Sequence, residues 1–238
     1  NKTRENHKID GLSPDANKLR GHSEIINVET LTKNIDLAWE TTRTPAEFRS
    51  KLLAIFRTTL SEGSNFIQDR FLLNNDGAEA VLAQAYLMDS LIKAALETVD
   101  TKLYRAPNPT RGEQLCIIAV GGYGRGELAP FSDIDLLFLL PYKQTSRVEQ
   151  VVETILYLLW DMKLKVGHST RSIDECMRQA KADMTVRTAI LESRYICGEI
   201  SLMEQMIARF REEIIKGSTL EFVEAKLKES DDRHRQLG

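Results

Sequence analysis

The chain has 238 residues, of which 42% are hydrophobic and 28% charged, and its formal net charge is −3. This balance is typical of a globular protein that buries a core without disulfides or metals. No apolar run approaches the ~20 residues of a membrane helix, and no secretory signal pattern or overall basic charge is present. Three cysteines without CxxC spacing predict neither a disulfide framework nor a zinc site. We therefore expect a cytoplasmic protein with neither a membrane nor a nucleic-acid partner.

Polar, aperiodic residues occupy positions 1–30 and predict a loosely ordered arm. A helical region is predicted over 31–105. Its first helix begins at the capping sequence Thr44-Pro45-Ala46-Glu47, a second helical stretch ends at the "NNDG" turn, and a third runs from Val81 to Val99. The segment "YRAPNPTRGEQ" breaks this pattern and marks a junction.

The segment 106–172 predicts a compact α/β core. Apolar runs at 115–120 and 133–140 indicate two buried strands, a helical stripe covers 148–159, and alternation over 162–170 indicates a third strand. A C-terminal helical region is predicted over 173–238. Capping boxes that begin at Ser172 and Ser218 would start two of its helices, and Gly198 and Gly217 are interpreted as helix C-terminal glycines.

The stretch "VGGYGRGELAPFSDIDLLFLL" places two aspartates on a predicted buried strand. Residues i and i+2 of a strand share a face, so Asp133 and Asp135 would project together, about 6.6 Å apart along the backbone. Two such carboxylates repel each other, and burial makes the repulsion costlier. A divalent cation removes both penalties. Mg²⁺, or Mn²⁺, suits this all-oxygen pair, and two-metal phosphoryl transfer is the expected chemistry.

Glycines precede this pair by about ten residues. Gly121 and Gly122 follow a predicted strand, where a turn of successive amides can cradle phosphate oxygens, and Arg125 can neutralise a phosphate. The pattern is neither a Walker A loop nor a dinucleotide fingerprint, because it has no GK[ST] and the wrong glycine spacing. A glycine turn beside a solvated acidic pair is the alternative interpretation. The combination of both features in one apolar frame favours a metal-nucleotide site.

Gly-Gly, a spacer of about ten residues and Asp-x-Asp resemble the nucleotidyltransferase signature of the DNA polymerase β superfamily. The strings "GGYGRGELAPFSDIDLLFL", "LLWDMKLKVGHSTRSIDEC" and the closing "DRHRQLG" resemble the bacterial PII-protein uridylyltransferases, which are bifunctional uridylyltransferase/uridylyl-removing enzymes. The resemblance implies an α/β (α+β) fold. A polymerase-β-like core with a small mixed sheet would be flanked by an N-terminal helical unit and a C-terminal helical bundle.

The resemblance also implies an activity, namely transfer of UMP from UTP to a tyrosine hydroxyl of the PII signal protein. Gly121 and Gly122 would hold the triphosphate, and Asp133 and Asp135 would be the catalytic metal ligands. Ser132 joins Arg125 among the candidate nucleotide-binding residues. Full members of the family add a uridylyl-removing hydrolase domain marked by a His-Asp pair and two glutamine-sensing domains. The chain opens on Asn1 and not on Met, so we expect a piece of a longer protein. No histidine of this chain precedes Asp, so we expect it to lack the removing activity and the glutamine switch.

One departure from the superfamily concerns a third carboxylate, which a later strand usually supplies. The segment 162–171 contains none, and Gly167 and His168 stand about where related adenylylating enzymes have an acidic residue. Two alternatives therefore stay open: an adenylyltransferase of the same fold that acts on glutamine synthetase, and a nucleotide-binding module without turnover. Asp161 and Asp174 flank the strand, but neither is a convincing substitute.

Other polar residues near the predicted core have two interpretations each. His168 is interpreted as a structural residue in preference to a general base. Arg171 could meet the triphosphate. Arg187 and Arg194, seven residues apart on a predicted helix, are interpreted as a solvated face, with a substrate-facing patch as the sharper alternative.

Overall fold

The computed structural model describes residues 22–107 and 110–216. The helices are α1 His22–Ile25, α2 Val28–Thr41, α3 Pro45–Asn74, α4 Gly77–Thr98, α5 Gly121–Gly124, α6 Ser146–Asp161, α7 Ile173–Ala182, α8 Met184–Leu191 and α9 Ile200–Phe210. The strands are β1 Cys116–Ala119, β2 Ile134–Leu140, β3 Val166–Ser172 and β4 Arg194–Gly198. Short turns of π-helix, Val99–Leu103 and Arg211–Ile215, extend α4 and α9.

The N-terminal half is helical, as the sequence predicts. Thr44 caps α3 by accepting a hydrogen bond from the Glu47 amide, with Pro45 at the first helical position. The two helical stretches predicted after this cap are one continuous helix, which ends at the left-handed Asn75. Helical structure already begins at His22, inside the segment 1–30 that was predicted to be a loose arm. Residues 1–21 of that segment lie outside the described part of the chain.

The four strands form one mixed sheet in the order β3-β2-β1-β4. β1 is antiparallel to β2 and β4, whereas β2 and β3 are parallel and joined by α6. This small mixed sheet with helical flanks confirms the predicted fold class. The third strand begins four residues later than predicted, because Met162 caps α6 and Lys163 adopts a left-handed turn.

β4 is a strand that the sequence analysis missed. It lies in the segment predicted to be a C-terminal helical region, and it pairs with β1 at the sheet edge. Gly198 therefore ends a strand, with φ of 94°, and does not close a helix as predicted. Glycine at position 198 could not distinguish the two, because a glycine with positive φ is suited both to a helix C-terminus and to the end of a strand. The capping box at Ser218 and the glycine at position 217 lie outside the described residues.

Both faces of the sheet are covered, so two cores meet at the strands. One face packs on the N-terminal helices and α6 through Ile117, Ala119, Ile134, Leu136, Phe138 and Leu140. The other face packs on α7, α8 and α9 through Cys116, Ile118, Leu137 and Leu139. Within the described ranges, no helix has the length and apolar character that a membrane span requires.

Candidate active site

The glycine turn lies between β1 and the start of β2. Val120 is extended, Gly121 has a φ of 61°, and the short helix α5 follows. The Val120 amide donates to the carbonyl oxygen of Asp135 at 3.0 Å, which holds the turn against β2. A side chain at Gly121 would suffer the strain of a left-handed backbone, and its Cβ would lie 3.1 Å from Asp135 Oδ2. Glycine is therefore required where the turn meets the carboxylate.

A second glycine borders the same carboxylate. Gly167 on β3 is the register partner of Asp135, and a Cβ at Gly167 would overlap Asp135 Oδ1. The Asp135 carboxylate thus lies between Gly121 and Gly167. Gly167 stands about where a third carboxylate was expected, and no side chain fits at Gly167 unless Asp135 moves. In the described ranges, no three His, Cys, Asp or Glu side chains cluster closely enough to hold a metal ion.

The two aspartates differ in environment. Asp133 is exposed and precedes β2, while Asp135 is half-buried within it, so the prediction of two carboxylates on a buried strand is correct only for the second. Burial raises the pKa of Asp135, and the nearby charge of Asp133 raises it further. Within the described chain, neither carboxylate forms an ion pair with Lys or Arg. Two oxygen donors with uncompensated charge fit a hard divalent cation.

Arg125 lies over the glycine turn. Its Nη1 is 3.3 Å from Glu192 Oε2, and its Nη2 is 3.6 Å from the position that a Cβ of Gly122 would take. Just over half of the Arg125 side chain is exposed, at 53%, so the guanidinium can be reached by a ligand bound at the turn. Ser132 is also exposed, in a turn where its amide donates to the Ala129 carbonyl.

His168 and Arg171 lie apart from Asp135. His168 alternates with Gly167 on β3, so it points to the opposite face, where its ring packs against Trp160 of α6 at 5.7 Å between centroids. Arg171 pairs with Leu139, four residues along β2 from Asp135, which separates the two backbones by about 13 Å. The geometry thus gives His168 a packing contact and places Arg171 toward the far end of the strand.

The prediction that Arg187 and Arg194 share a solvated helix face is wrong. Arg187 lies on α8 and donates to the carbonyl oxygens of Ala180 and Lys181, which caps the end of α7. Arg194 lies on β4 and is only 5% exposed. The error follows from the missed strand, because a seven-residue spacing means one face only if both residues belong to the same helix.

A buried polar cluster behind the glycine turn was also missed. Asp89 of α4 accepts hydrogen bonds from the Tyr123 hydroxyl and from both terminal nitrogens of Arg194. All three residues are at most 5% exposed. The available signal was a single charged residue in the predicted core-facing helix between Met88 and Ile92, since a buried charge implies a buried partner.

Comparison with protein families decides what this architecture is. Residues 110–196 match the family model described as "Nucleotidyltransferase domain". The chain carries a nucleotidyltransferase domain. The match spans β1, the glycine turn, the two aspartates and β3, and it ends inside β4.

Curated relatives extend the similarity beyond that domain. Each of three is named "Bifunctional uridylyltransferase/uridylyl-removing enzyme". The relative from Azospirillum brasilense is 53% identical over 192 residues, which are 81% of this chain and 21% of the relative. Those from Rhodospirillum rubrum and Rhodopseudomonas palustris are each 46% identical, over 93% and 85% of this chain and 24% and 22% of the relatives.

These identities confirm the family resemblance predicted from the sequence. They also reach into the N-terminal helical region, since an alignment over 93% of the chain must include α3 and α4. The similarity to these relatives therefore covers the helical flanks as well as the sheet. The chain spans less than a quarter of the length of these relatives.

Proposed function

We propose that the chain transfers UMP from UTP to a tyrosine hydroxyl of the PII nitrogen-regulatory protein and releases pyrophosphate. The observation that carries the proposal is the Asp135 carboxylate, which lies between Gly121 and Gly167 with no ion-pair partner in the described chain. The nucleotidyltransferase family match and the names of the relatives support the reaction class.

In this proposal four residues at or near the glycine turn contact the nucleotide. The amides of Gly121 and Gly122 hold the triphosphate oxygens, because at these positions the backbone can approach a bulky anion without side chains in between. Arg125 leaves Glu192 and pairs with a phosphate through its fork of donors. Ser132 lies beside the acidic pair and adds a hydroxyl donor.

Asp133 and Asp135 would hold Mg²⁺, with Mn²⁺ as a substitute. The metal would supply charge neutralisation on the phosphates and activation of the attacking oxygen. The aspartates would fix where the metal binds and therefore where on the nucleotide the transfer takes place. The three cysteines, none of which is in a disulfide, suit a reducing compartment, so we place the reaction in the cytoplasm.

The test is a transfer assay with the chain, Mg²⁺, purified PII and labelled UTP or ATP. We expect label on PII from UTP, and no label on a PII variant whose acceptor tyrosine is replaced by phenylalanine. Transfer from ATP would replace the proposal by adenylylation, which glutamine synthetase as acceptor would then check. Tight UTP binding without transfer would indicate a non-catalytic module, a role that the absence of a third nearby carboxylate in the described residues favours.

A further inference from the structure

We infer that Asp89, Tyr123 and Arg194 are positioning residues, which hold the glycine turn from behind in the orientation that receives the nucleotide phosphates. We call these three side chains the buried clamp. The inference rests on the proposed function for the identity of the ligand, whereas the geometry of the clamp stands by itself.

Tyr123 connects the turn to the helical region. It lies between Gly122 and Gly124, and its side chain is 1% exposed and turned into the core. Its hydroxyl donates to Asp89 Oδ1 at 2.5 Å. Burial, and then the Asp89 charge, raise the pKa of Tyr123 well above its usual value, so the phenol remains a donor. The turn is therefore tied to α4, an element outside the matched nucleotidyltransferase segment.

Arg194 closes the clamp from the sheet edge. Its Nη1 lies 2.5 Å from Asp89 Oδ2 and its Nη2 lies 3.1 Å from Asp89 Oδ1, a two-pronged pairing. The same Nη2 donates to the carbonyl oxygen of Tyr123 at 3.3 Å, and the guanidinium packs on the Tyr123 ring at 5.3 Å. A single side chain of β4 thus contacts the carboxylate, the ring and the turn backbone.

The clamp has an energetic cost that a purely structural core would avoid. Arg194 Nε is buried without a hydrogen-bond partner among the described residues. Buried ion pairs of this kind contribute little more stability than well-packed apolar residues, whereas their directional bonds specify one geometry. The specified geometry is that of the turn, where Gly121 already approaches Asp135 closely and Gly124 packs against the backbone of Glu192. A small shift of the turn would alter both contacts.

Tyr123→Phe tests the inference, because it removes the hydroxyl and leaves the Asp89–Arg194 pair and the ring in place. Tyr104→Phe is the matched control. Its hydroxyl likewise has side-chain hydrogen-bond partners, Arg49 and Thr154, but these bonds join α3 to α6 away from the turn. Asp89→Asn is a second clamp variant, which retains the shape and removes the charge.

Two measurements are made on each purified variant. In the ligand-free protein, hydrogen exchange over 121–126 is expected to rise at least threefold in Tyr123→Phe and Asp89→Asn but not in Tyr104→Phe. With Mg²⁺-UTP, the Kd and the KM are expected to rise about tenfold in the clamp variants, with kcat at saturating UTP changed less than threefold. Tyr104→Phe is expected to bind UTP as the unmodified chain does.

Unchanged exchange in both clamp variants would overturn the inference, as would equal effects of Tyr104→Phe. A kcat loss with unchanged Kd would also overturn it, because a positioning residue of the phosphate turn acts on nucleotide binding. If the unmodified chain binds no UTP, the proposed function fails by that result alone. The exchange measurement still decides in that case whether the clamp holds the turn.

Discussion

The glycine turn contacts two carboxylates, Asp89 and Asp135. They differ in whether the fold supplies a partner for the negative charge. Asp89 is fully buried, and Arg194 and Tyr123 satisfy both of its oxygens. Asp135 is half-buried, the charge of Asp133 adds to burial in raising its pKa, and no Lys or Arg of the described chain forms an ion pair with it. The first charge is neutralised within the fold, and the second has no ion-pair partner in the described chain.

This difference separates structural from functional charge without reference to any relative. A half-buried carboxylate with a raised pKa and no ion-pair partner in the described chain is available to a ligand, and a cation is the simplest partner. A carboxylate that the fold pairs completely contributes to geometry. The comparison predicts opposite responses to metal removal and to mutation at the two sites.

The largest effect is expected from metal removal. Excess chelator should abolish UMP transfer, and Mg²⁺ or Mn²⁺ should restore it, because the site consists of hard oxygen ligands. Zinc should restore it poorly, since the described residues near the pair offer no His or Cys ligand set. The residues of the buried clamp pair with one another and need no metal, so chelator should lower the Tm only a little. Full transfer in excess chelator would refute a metal site at Asp135.

Asp135→Asn sharpens the comparison by removing one uncompensated charge. We expect transfer to fall by about 10³-fold, the equivalent of ~4 kcal/mol of transition-state stabilisation. The metal-free Tm should stay equal or rise, because the repulsion from Asp133 is relieved. Asp174→Asn, at an exposed carboxylate paired with Arg209, serves as the control in the transfer assay and differential scanning fluorimetry. Strong destabilisation of Asp135→Asn would make Asp135 a structural residue.

Asp89→Ala should give the reverse pattern, a loss of stability. It leaves Arg194 buried without its counter-ion, which costs roughly 3–5 kcal/mol, or a Tm decrease on the order of 10 °C. Asp36→Ala, at an exposed carboxylate paired with Lys102, should cost less than about 1 kcal/mol. Denaturant unfolding of both variants measures the difference. Equal costs would mean that the Asp89 pair contributes no more than a surface pair.

The smallest effect concerns Cys116 and Cys176, whose thiols lie in the core that packs on the sheet face of Asp135. Burial raises the pKa of Cys116 to about 12 and that of Cys176 to about 11, so both should react slowly with a thiol reagent at pH 8. These folded-state pKa values lie above the pKa of an unfolded cysteine, about 8.5. The contribution of the two protonated thiols to the free energy of unfolding is therefore fully present below that pH and is lost as the pH rises further. Melting curves at pH 7.5 and 10 measure this decline.

The rate of thiol labelling should also differ between variants of the two carboxylates. Asp135→Asn should leave the labelling rate at pH 8 unchanged, whereas Asp89→Ala should increase it by raising the unfolded fraction. Faster labelling in Asp135→Asn would show that Asp135 supports the packing of its sheet face.

Local pattern determined a large part of this molecule. The capped start of α3, the capping box at Ser172, strands β1 and β2, and the glycine–aspartate frame all depend on residues close together in the chain. Hydrophobic period, capping chemistry and glycine spacing act over a few residues, so the sequence alone states them. The family resemblance also follows from such short strings.

Only the tertiary structure decided which distant residues meet. β4 is a five-residue strand among helices, and its place beside β1 depends on pairing with a strand about 80 residues earlier. The same pairing buries Arg194 and brings it to Asp89, 105 residues away in the chain. Gly167 faces Asp135 through the parallel register of β2 and β3. These contacts form across the fold, where sequence spacing carries no information, because packing and strand pairing select partners by position in space.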